Sequence, residues 1–143
     1  MKSDHRLHTT NYYNTLIEVA EDYARSEARI PLPKGDKMTV AQLQFDLIGE
    51  NPYRFTSDDV IFQVYSIRNE IPEEELQEAR EIFFSKGQAC LRASPLTKNY
   101  GFGVHANEEG KIAIYPMESE TYKLLLADSS VQKVKAVRSS RKK

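Results

Sequence analysis

Cysteine is nearly absent from this chain of 143 residues, which contains Cys90 alone. A single thiol excludes an intramolecular disulfide and a zinc site built on cysteine pairs. The sequence also lacks any apolar run near the ~20 residues of a membrane span, and its first eleven residues have no apolar core of the kind that a signal peptide needs. We therefore expect a soluble cytoplasmic protein, because a lone thiol stays reduced in that compartment.

The charge distribution argues against one class of partner. The formal net charge is -1, but residues 132–143 hold six basic residues and no acid. The remainder keeps 14 of the 20 basic residues and all 21 acidic residues, which gives it a net charge of -7. Nucleic-acid binding by this acidic body is disfavoured, since phosphate neutralisation needs a basic face. The basic end is typical of a solvated terminus or one docked on its own domain, with a nucleic-acid contact as the alternative.

The hydrophobic pattern predicts an α+β fold with the order β-α-α-α-β-β-β-α-β. Residues 12–20 read as a strand, and three helices follow from Thr39, Ser57 and Pro72. Alternation then predicts strands at 89–93, 100–106 and 111–115, a helix from Ser119, and a short strand or ordered tail at 131–137. Strands joined by hairpins pair antiparallel, so we expect an antiparallel sheet with helices packed on it. We expect one domain over residues 1–143, with an ordered core at about 8–138 and flexible ends at 1–7 and 139–143.

The first two predicted helices each have an apolar stripe. The first places Val40, Leu43, Leu47 and Ile48 at helical spacing. The second has a stripe of Val60, Ile61, Val64, Tyr65 and Arg68. The three helices could form a helix-turn-helix, but the second opens with Asp58 and Asp59, which would repel phosphate.

The predicted hairpin at 100–115 has glycines on one face. Alternation places Gly101, Gly103 and His105 opposite Tyr100, Phe102, Val104 and Ala106. Two glycines on one strand face indicate that a helix of the same domain or a ligand approaches the backbone closely. A simple four-residue loop would set Ile112 and Ile114 across from the glycines, which favours a packing helix, and would set Tyr115 with Tyr100 and Phe102. A bulge at Gly110 would exchange these faces.

Hydrogen-bond donors are concentrated in the connection before this hairpin. Cationic and hydroxyl donors at strand ends suit an anion such as carboxylate or phosphate, while an ordered loop with capping hydrogen bonds is the structural alternative. Arg92 and Lys98 would supply the charge. The expected ligand-binding residues are Arg92, Ser94, Lys98, Tyr100, His105 and Lys111.

Cys90 and His105 are the candidates for catalysis. A thiolate stabilised by Arg92 could act as a nucleophile, and imidazole titrates near neutral pH, so the two would have to converge in one pocket. A buried small side chain and a hydrogen-bonded histidine at a strand end are the structural alternatives. The sequence contains no P-loop, dinucleotide fingerprint or catalytic carboxylate pair, and we expect no metal site and no cofactor.

The leading hypothesis is a non-catalytic binding domain for a small anionic ligand or a protein partner beside the hairpin. One alternative is an enzyme that uses Cys90, His105 or both. The other is a protein-interaction or homo-oligomerisation domain that uses an exposed aromatic face of Tyr100, Phe102 and Tyr115.

Several strings of residues resemble a family of small bacterial proteins classed as a domain of unknown function. The likeness extends from about His8 to Arg138, and its most specific part is residues 90–100. It implies a free-standing bacterial protein and implies no activity. The strings are HTTNYYNT at 8–15, FTSDDV at 55–60, CLRASPLT at 90–97, YG at 100–101 and GKIA at 110–113.

Overall fold

The computed structural model describes residues 7–139, and its helices and strands form the expected α+β fold. None of the helices in that range is long and apolar enough to cross a membrane. Apart from Leu7 and Ser139, the ends expected to be flexible lie outside the described residues. The elements are β1 Thr15–Glu18, α1 Val40–Gly49, α2 Ser57–Arg68, α3 Leu76–Phe83, α4 Pro95–Asn99, β2 Phe102–Ala106, β3 Ile112–Pro116, α5 Glu120–Ala127 and β4 Gln132–Lys135, with 3-10 turns at Glu73–Glu75 and Leu91–Ala93.

The four strands form a mixed sheet in the order β3-β2-β1-β4. The expected antiparallel pairing is found between β1 and β2 and within the β2–β3 hairpin. The last strand differs, because β4 pairs parallel with β1. A helical connection returns the chain to the end where the preceding strand began, so α5 brings β4 back in the direction of β3 and β1.

The strand expected at residues 89–93 is wrong. The segment forms the 3-10 turn Leu91–Ala93 and leads directly into α4. Ser94 caps α4 by accepting from the Leu96 amide, and Pro95 occupies the first turn, where its missing N–H costs nothing. Apolar alternation over five residues cannot be distinguished from a buried turn, and here the cap and the proline decide the structure.

Capping boxes fix where the first two helices begin. Thr39 caps α1 as expected, with its hydroxyl accepting from the Gln42 amide. The cap of α2 is Thr56 rather than Ser57, and Asp59 completes the box by accepting from the Thr56 amide. The Ser57 hydroxyl instead lies 3.0 Å from that of Thr10, which ties the start of the chain to α2.

A glycine bulge sets the register of the hairpin. Gly110 has a φ of +82°, and the Asn107 amide donates to the Lys111 carbonyl across the turn. Val104 therefore pairs with Ile114, and Gly103 pairs with Tyr115. The register expected for a simple four-residue loop is therefore wrong. The bulge places Ile112 and Ile114 on the Val104 face and Tyr115 on the Gly103 face.

The sheet is covered on both faces. Helices α1, α2 and α4 pack on the face of Phe102 and Val104, where Leu96 and Val60 are fully buried. The opposite face packs against α5 through a smaller cluster of Leu16, Val131 and Tyr122. A Cβ atom at Gly103 would lie 2.7 Å from Cδ1 of Tyr122, so the close approach to the glycine face comes from a helix of the same chain.

Candidate functional site

A cleft of about 290 Å³ opens between α1, α2 and residues 89–95. Apolar side chains form most of its wall, and Arg68 is the charged side chain among the described residues that line it. Concave, mainly apolar sites with a few polar groups are typical of small-molecule binding. The apolar lining consists of Val40, Ile61, Val64, Phe83, Ala89, Leu91, Ala93 and Pro95, and the other lining side chains are Gln44, Tyr65, Arg68, Asn69, Cys90 and Ser94.

Gln44 carries an unpartnered polar group in this cleft. The residue is 5% exposed, and its side-chain oxygen accepts a hydrogen bond from the Ser94 hydroxyl. Within residues 7–139, no group accepts a hydrogen bond from the Gln44 side-chain nitrogen. This nitrogen is not fully enclosed by the protein, so a ligand oxygen in the cleft could accept a hydrogen bond from it.

Arg68 lies at the end of α2 and supplies positive charge to the cleft. Its Nη1 atom donates to the Met38 carbonyl at 3.3 Å, and no other group in the described part of the chain accepts from the guanidinium. Arg68 also lines a second cavity of about 290 Å³, whose other described lining residues are Lys37, Met38, Leu43, Ile67 and Glu70. The guanidinium therefore forms part of the wall of both spaces.

Cys90 is half-buried in the cleft, and its Sγ lies 3.5 Å from the Tyr12 hydroxyl. Burial and the contact with Cys90 raise the pKa of Tyr12 above its ordinary value, while Arg92 acts in the opposite direction. The phenol therefore keeps its proton at neutral pH and is a poor base for the thiol.

The structure separates the six side chains expected to bind a ligand. Ser94 lines the cleft, while Arg92 donates from Nε to the Lys135 carbonyl beside β4. Lys98 lines a separate recess near the end of α4, and Arg29 stacks on the ring of the neighbouring Tyr100. The remaining two, His105 and Lys111, lie on the hairpin, where Lys111 approaches Glu109 at 3.6 Å.

His105 belongs to a hydrogen-bonded group on the α5 face of the sheet. The Tyr53 hydroxyl lies 2.8 Å from Nδ1 of His105 and 2.9 Å from the Tyr115 hydroxyl. Burial lowers the pKa of His105, and the charge of Asp128 opposes this shift. Burial and Tyr115 raise the pKa of Tyr53 far above its ordinary value. Because Cys90 lies in the cleft beside α1 and α2, the structure does not bring Cys90 and His105 together.

The expected aromatic face is also divided. Phe102 is buried beneath the helices, and Tyr115 lies on the other face of the sheet. The bulge at Gly110 is responsible, because it shifts β3 by one residue relative to β2.

The lowered pKa of His105 predicts that stability falls in acid. The unfolded chain binds a proton near pH ~6.5, whereas the folded chain binds it only at lower pH. The contribution of His105 is therefore complete above about pH 6.5 and is lost as the pH falls towards the folded pKa. Urea unfolding at about pH 7.5 and pH 5 should show a smaller loss for His105→Gln than for the wild type.

The exposed His8 provides the control for this comparison. His8→Gln should retain the acid sensitivity of the wild type. Equal pH dependence of His105→Gln and wild type would contradict the burial of a neutral imidazole, as would a His105 signal in NMR, assigned by its loss in His105→Gln, that titrates above pH ~6.5.

Sequence reasoning missed Gln44 and gave Arg68 no functional role. Gln44 lies four residues after Val40 and three before Leu47, so it interrupts an apolar stripe of α1. Arg68 ends the apolar stripe of α2. A polar side chain on a core-facing stripe was the available signal, but only tertiary packing shows that the two stripes border one cleft.

Comparison with known proteins gives a family but no activity. A protein-family model matches residues 7–142, and its family is described as one of unknown function. No curated protein matches the chain, and no solved structure does.

Proposed function

The chain belongs to the family of unknown function DUF6157, and we propose that it is a non-catalytic binding domain for a small apolar carboxylate held in the cleft. Such a ligand has an apolar body and one anionic end. The apolar walls would bury the body, and the donors of Arg68 and Gln44 would bind the carboxylate. We further propose that the protein acts in the bacterial cytoplasm, where the thiol of Cys90 stays reduced.

The unpartnered amide nitrogen of Gln44 carries this proposal. Within residues 7–139 this nitrogen has no acceptor, and it is not fully enclosed, so a ligand in the cleft can reach it. Gln44 has a partner for its oxygen, the Ser94 hydroxyl, which also caps α4. This bond orients the amide, and no described residue accepts from its nitrogen, which can therefore donate to a ligand oxygen.

The size and charge of the cleft favour a small anion over a neutral molecule. A volume of about 290 Å³ is at the lower end of ligand sites, which suits a ligand with a body such as one ring or a short alkyl chain. No carboxylate is among the described residues that line the cleft, and Arg68 forms no ion pair within residues 7–139, although Glu70 lines the neighbouring cavity. A carboxylate can accept from the guanidinium and the amide together, whereas an alcohol offers a weaker acceptor.

Catalysis by Cys90 is not part of this proposal. The thiol shares the cleft, but its hydrogen-bonded neighbour is the protonated Tyr12 phenol. A nucleophilic cysteine needs a base or a positive charge that stabilises its thiolate. The His105 imidazole lies on the other face of the sheet, while the Arg92 side chain donates to the Lys135 carbonyl and its charge acts on the Tyr12 phenol.

The test is binding of phenylacetate and hexanoate by saturation-transfer NMR and calorimetry. Both should bind with a dissociation constant below roughly 1 mM, and 2-phenylethanol should bind about tenfold more weakly than phenylacetate. Ala89→Phe, which places a ring at the exposed margin of the cleft, should abolish binding.

Two further variants separate the contributions. Ala127→Phe adds the same ring at an exposed position in α5 and should leave binding unchanged. Arg68→Gln should weaken the binding of phenylacetate about tenfold and leave the binding of 2-phenylethanol almost unchanged. Absence of carboxylate binding up to ~10 mM, or equal binding by Ala89→Phe, would overturn the proposal.

A further inference from the structure

The recess that Lys98 lines is distinct from the cleft and lies where residues 22–29 meet the end of α4 and Ser139. Its volume is about 220 Å³. Arg25, Arg29 and Lys98 line it, with Asp22 as the acidic residue among the described lining side chains. The described lining side chains therefore carry a formal charge of +2, on a protein whose residues outside 132–143 carry a net charge of -7.

None of the three cations has an ion-pair partner within residues 7–139. Neither Arg25 nor the ammonium group of Lys98 forms a salt bridge or a side-chain hydrogen bond in that range. Other basic side chains of the same region are paired, since Lys135 and Arg138 both contact Glu21. Unpaired cations that share a concave surface raise the local concentration of anions.

Arg29 is held in place by its neighbours. Its Nε and Nη2 atoms both donate to the Asn99 carbonyl, at 3.1 and 3.0 Å, and its guanidinium stacks on the Tyr100 ring at 4.6 Å. These contacts fix the guanidinium plane, so little side-chain entropy remains to be lost on binding. The carbonyl of Tyr100 accepts from the Arg29 amide, which anchors the backbone of the same segment.

Ser139 closes the recess on the side of the C-terminal segment. Its hydroxyl donates to the Lys98 carbonyl, and its amide donates to Asp22. Three chain segments that are distant in sequence therefore meet at the recess. A site assembled in this way has a defined shape, unlike isolated cations on a flat surface.

From this arrangement we propose that the recess binds the phosphoryl group of a small phosphorylated molecule. A phosphate monoester carries nearly two negative charges at neutral pH, which matches the charge of the recess, and its oxygens can accept from several cations at once. A carboxylate has one charge and two oxygens, so it would leave part of this donor set unused. The volume leaves room for a short organic part besides the phosphoryl group.

Calorimetry and ³¹P NMR with inorganic phosphate and glycerol 3-phosphate test this site. We expect dissociation constants near 1 mM or lower at low ionic strength, weakened by added salt. Tighter binding of glycerol 3-phosphate would identify a phosphorylated organic ligand, and tighter binding of phosphate would identify the free ion. Acetate should bind at least about fivefold more weakly than either.

Variants of the unpaired cations locate the binding. Arg25→Gln and Lys98→Gln should each weaken phosphate binding about fivefold, and the double variant should weaken it more than tenfold. Lys123→Gln removes an exposed cation from α5 and should change the affinity less than twofold. Ala89→Phe should also leave phosphate binding unchanged, which distinguishes this site from the cleft. Absence of binding at ~10 mM, or an unchanged affinity in the folded double variant, would overturn the proposal.

Discussion

Gly103→Ala is expected to lower the free energy of unfolding by about 3 kcal/mol. The added Cβ would lie 2.7 Å from Cδ1 of Tyr122 and 3.2 Å from the Ile17 carbonyl oxygen. The ring cannot move away easily, because Tyr122 is 5% exposed and its hydroxyl accepts from the Val19 amide at 3.0 Å. Helix α5 would have to shift off the sheet, and equilibrium unfolding in urea measures the cost.

Gly49 provides a matched control for this substitution. A Cβ at Gly49 would meet Cδ1 of Ile114 at 3.9 Å, an ordinary van der Waals contact. Gly49→Ala should therefore change the free energy of unfolding by less than about 1 kcal/mol. A small gain in stability is expected, because alanine has fewer conformations than glycine in the unfolded chain. If Gly103→Ala were as stable as Gly49→Ala, α5 could not pack on this face of the sheet as described.

Leu96→Ala is expected to cost about 3 to 5 kcal/mol. Leu96, in α4, is fully buried and belongs to the core between the helices and the sheet. Truncation removes apolar contact and leaves a cavity, because the surrounding side chains belong to several elements and cannot all move inwards. The same urea experiment measures the loss.

An exposed leucine controls for the loss of apolar surface alone. Leu124 in α5 is 62% exposed, so Leu124→Ala should change the free energy of unfolding by no more than about 0.5 kcal/mol. Similar effects of the two substitutions would contradict the placement of residues 91–99 as a turn and helix anchored in the core.

The sequence was informative where a local signal and the tertiary structure agree. Thr39 and Ser119 begin helices because their hydroxyls satisfy amides of the first turn, a requirement that any helix has. The hairpin at 102–116 follows from alternation and Gly110. The prediction of a strand at residues 89–93 was wrong, because Cys90 and Leu91 fit a buried strand and a buried turn equally well.

The site depended on information that local pattern does not contain. The donors between residues 92 and 111 are close in sequence but separate in space. Ser94 caps α4 beside the cleft, Arg92 contacts β4, and His105 lies on the α5 face of the sheet. Gln44 and Arg68 lie 24 positions apart and meet at one cleft because α1 packs beside α2. Their approach is set by packing, which no spacing rule within one helix predicts.

The side-chain amide of Gln44 allows the most direct test of the proposed function. Its two N–H signals are visible in ¹H–¹⁵N correlation spectra and can be assigned with Gln44→Leu. During a titration with phenylacetate, we predict that these signals shift together with the backbone amides of Arg68 and Leu91, to the same end point and with the same dissociation constant. Gln44 signals that stay in place while phenylacetate saturates the protein would contradict a carboxylate site in the cleft.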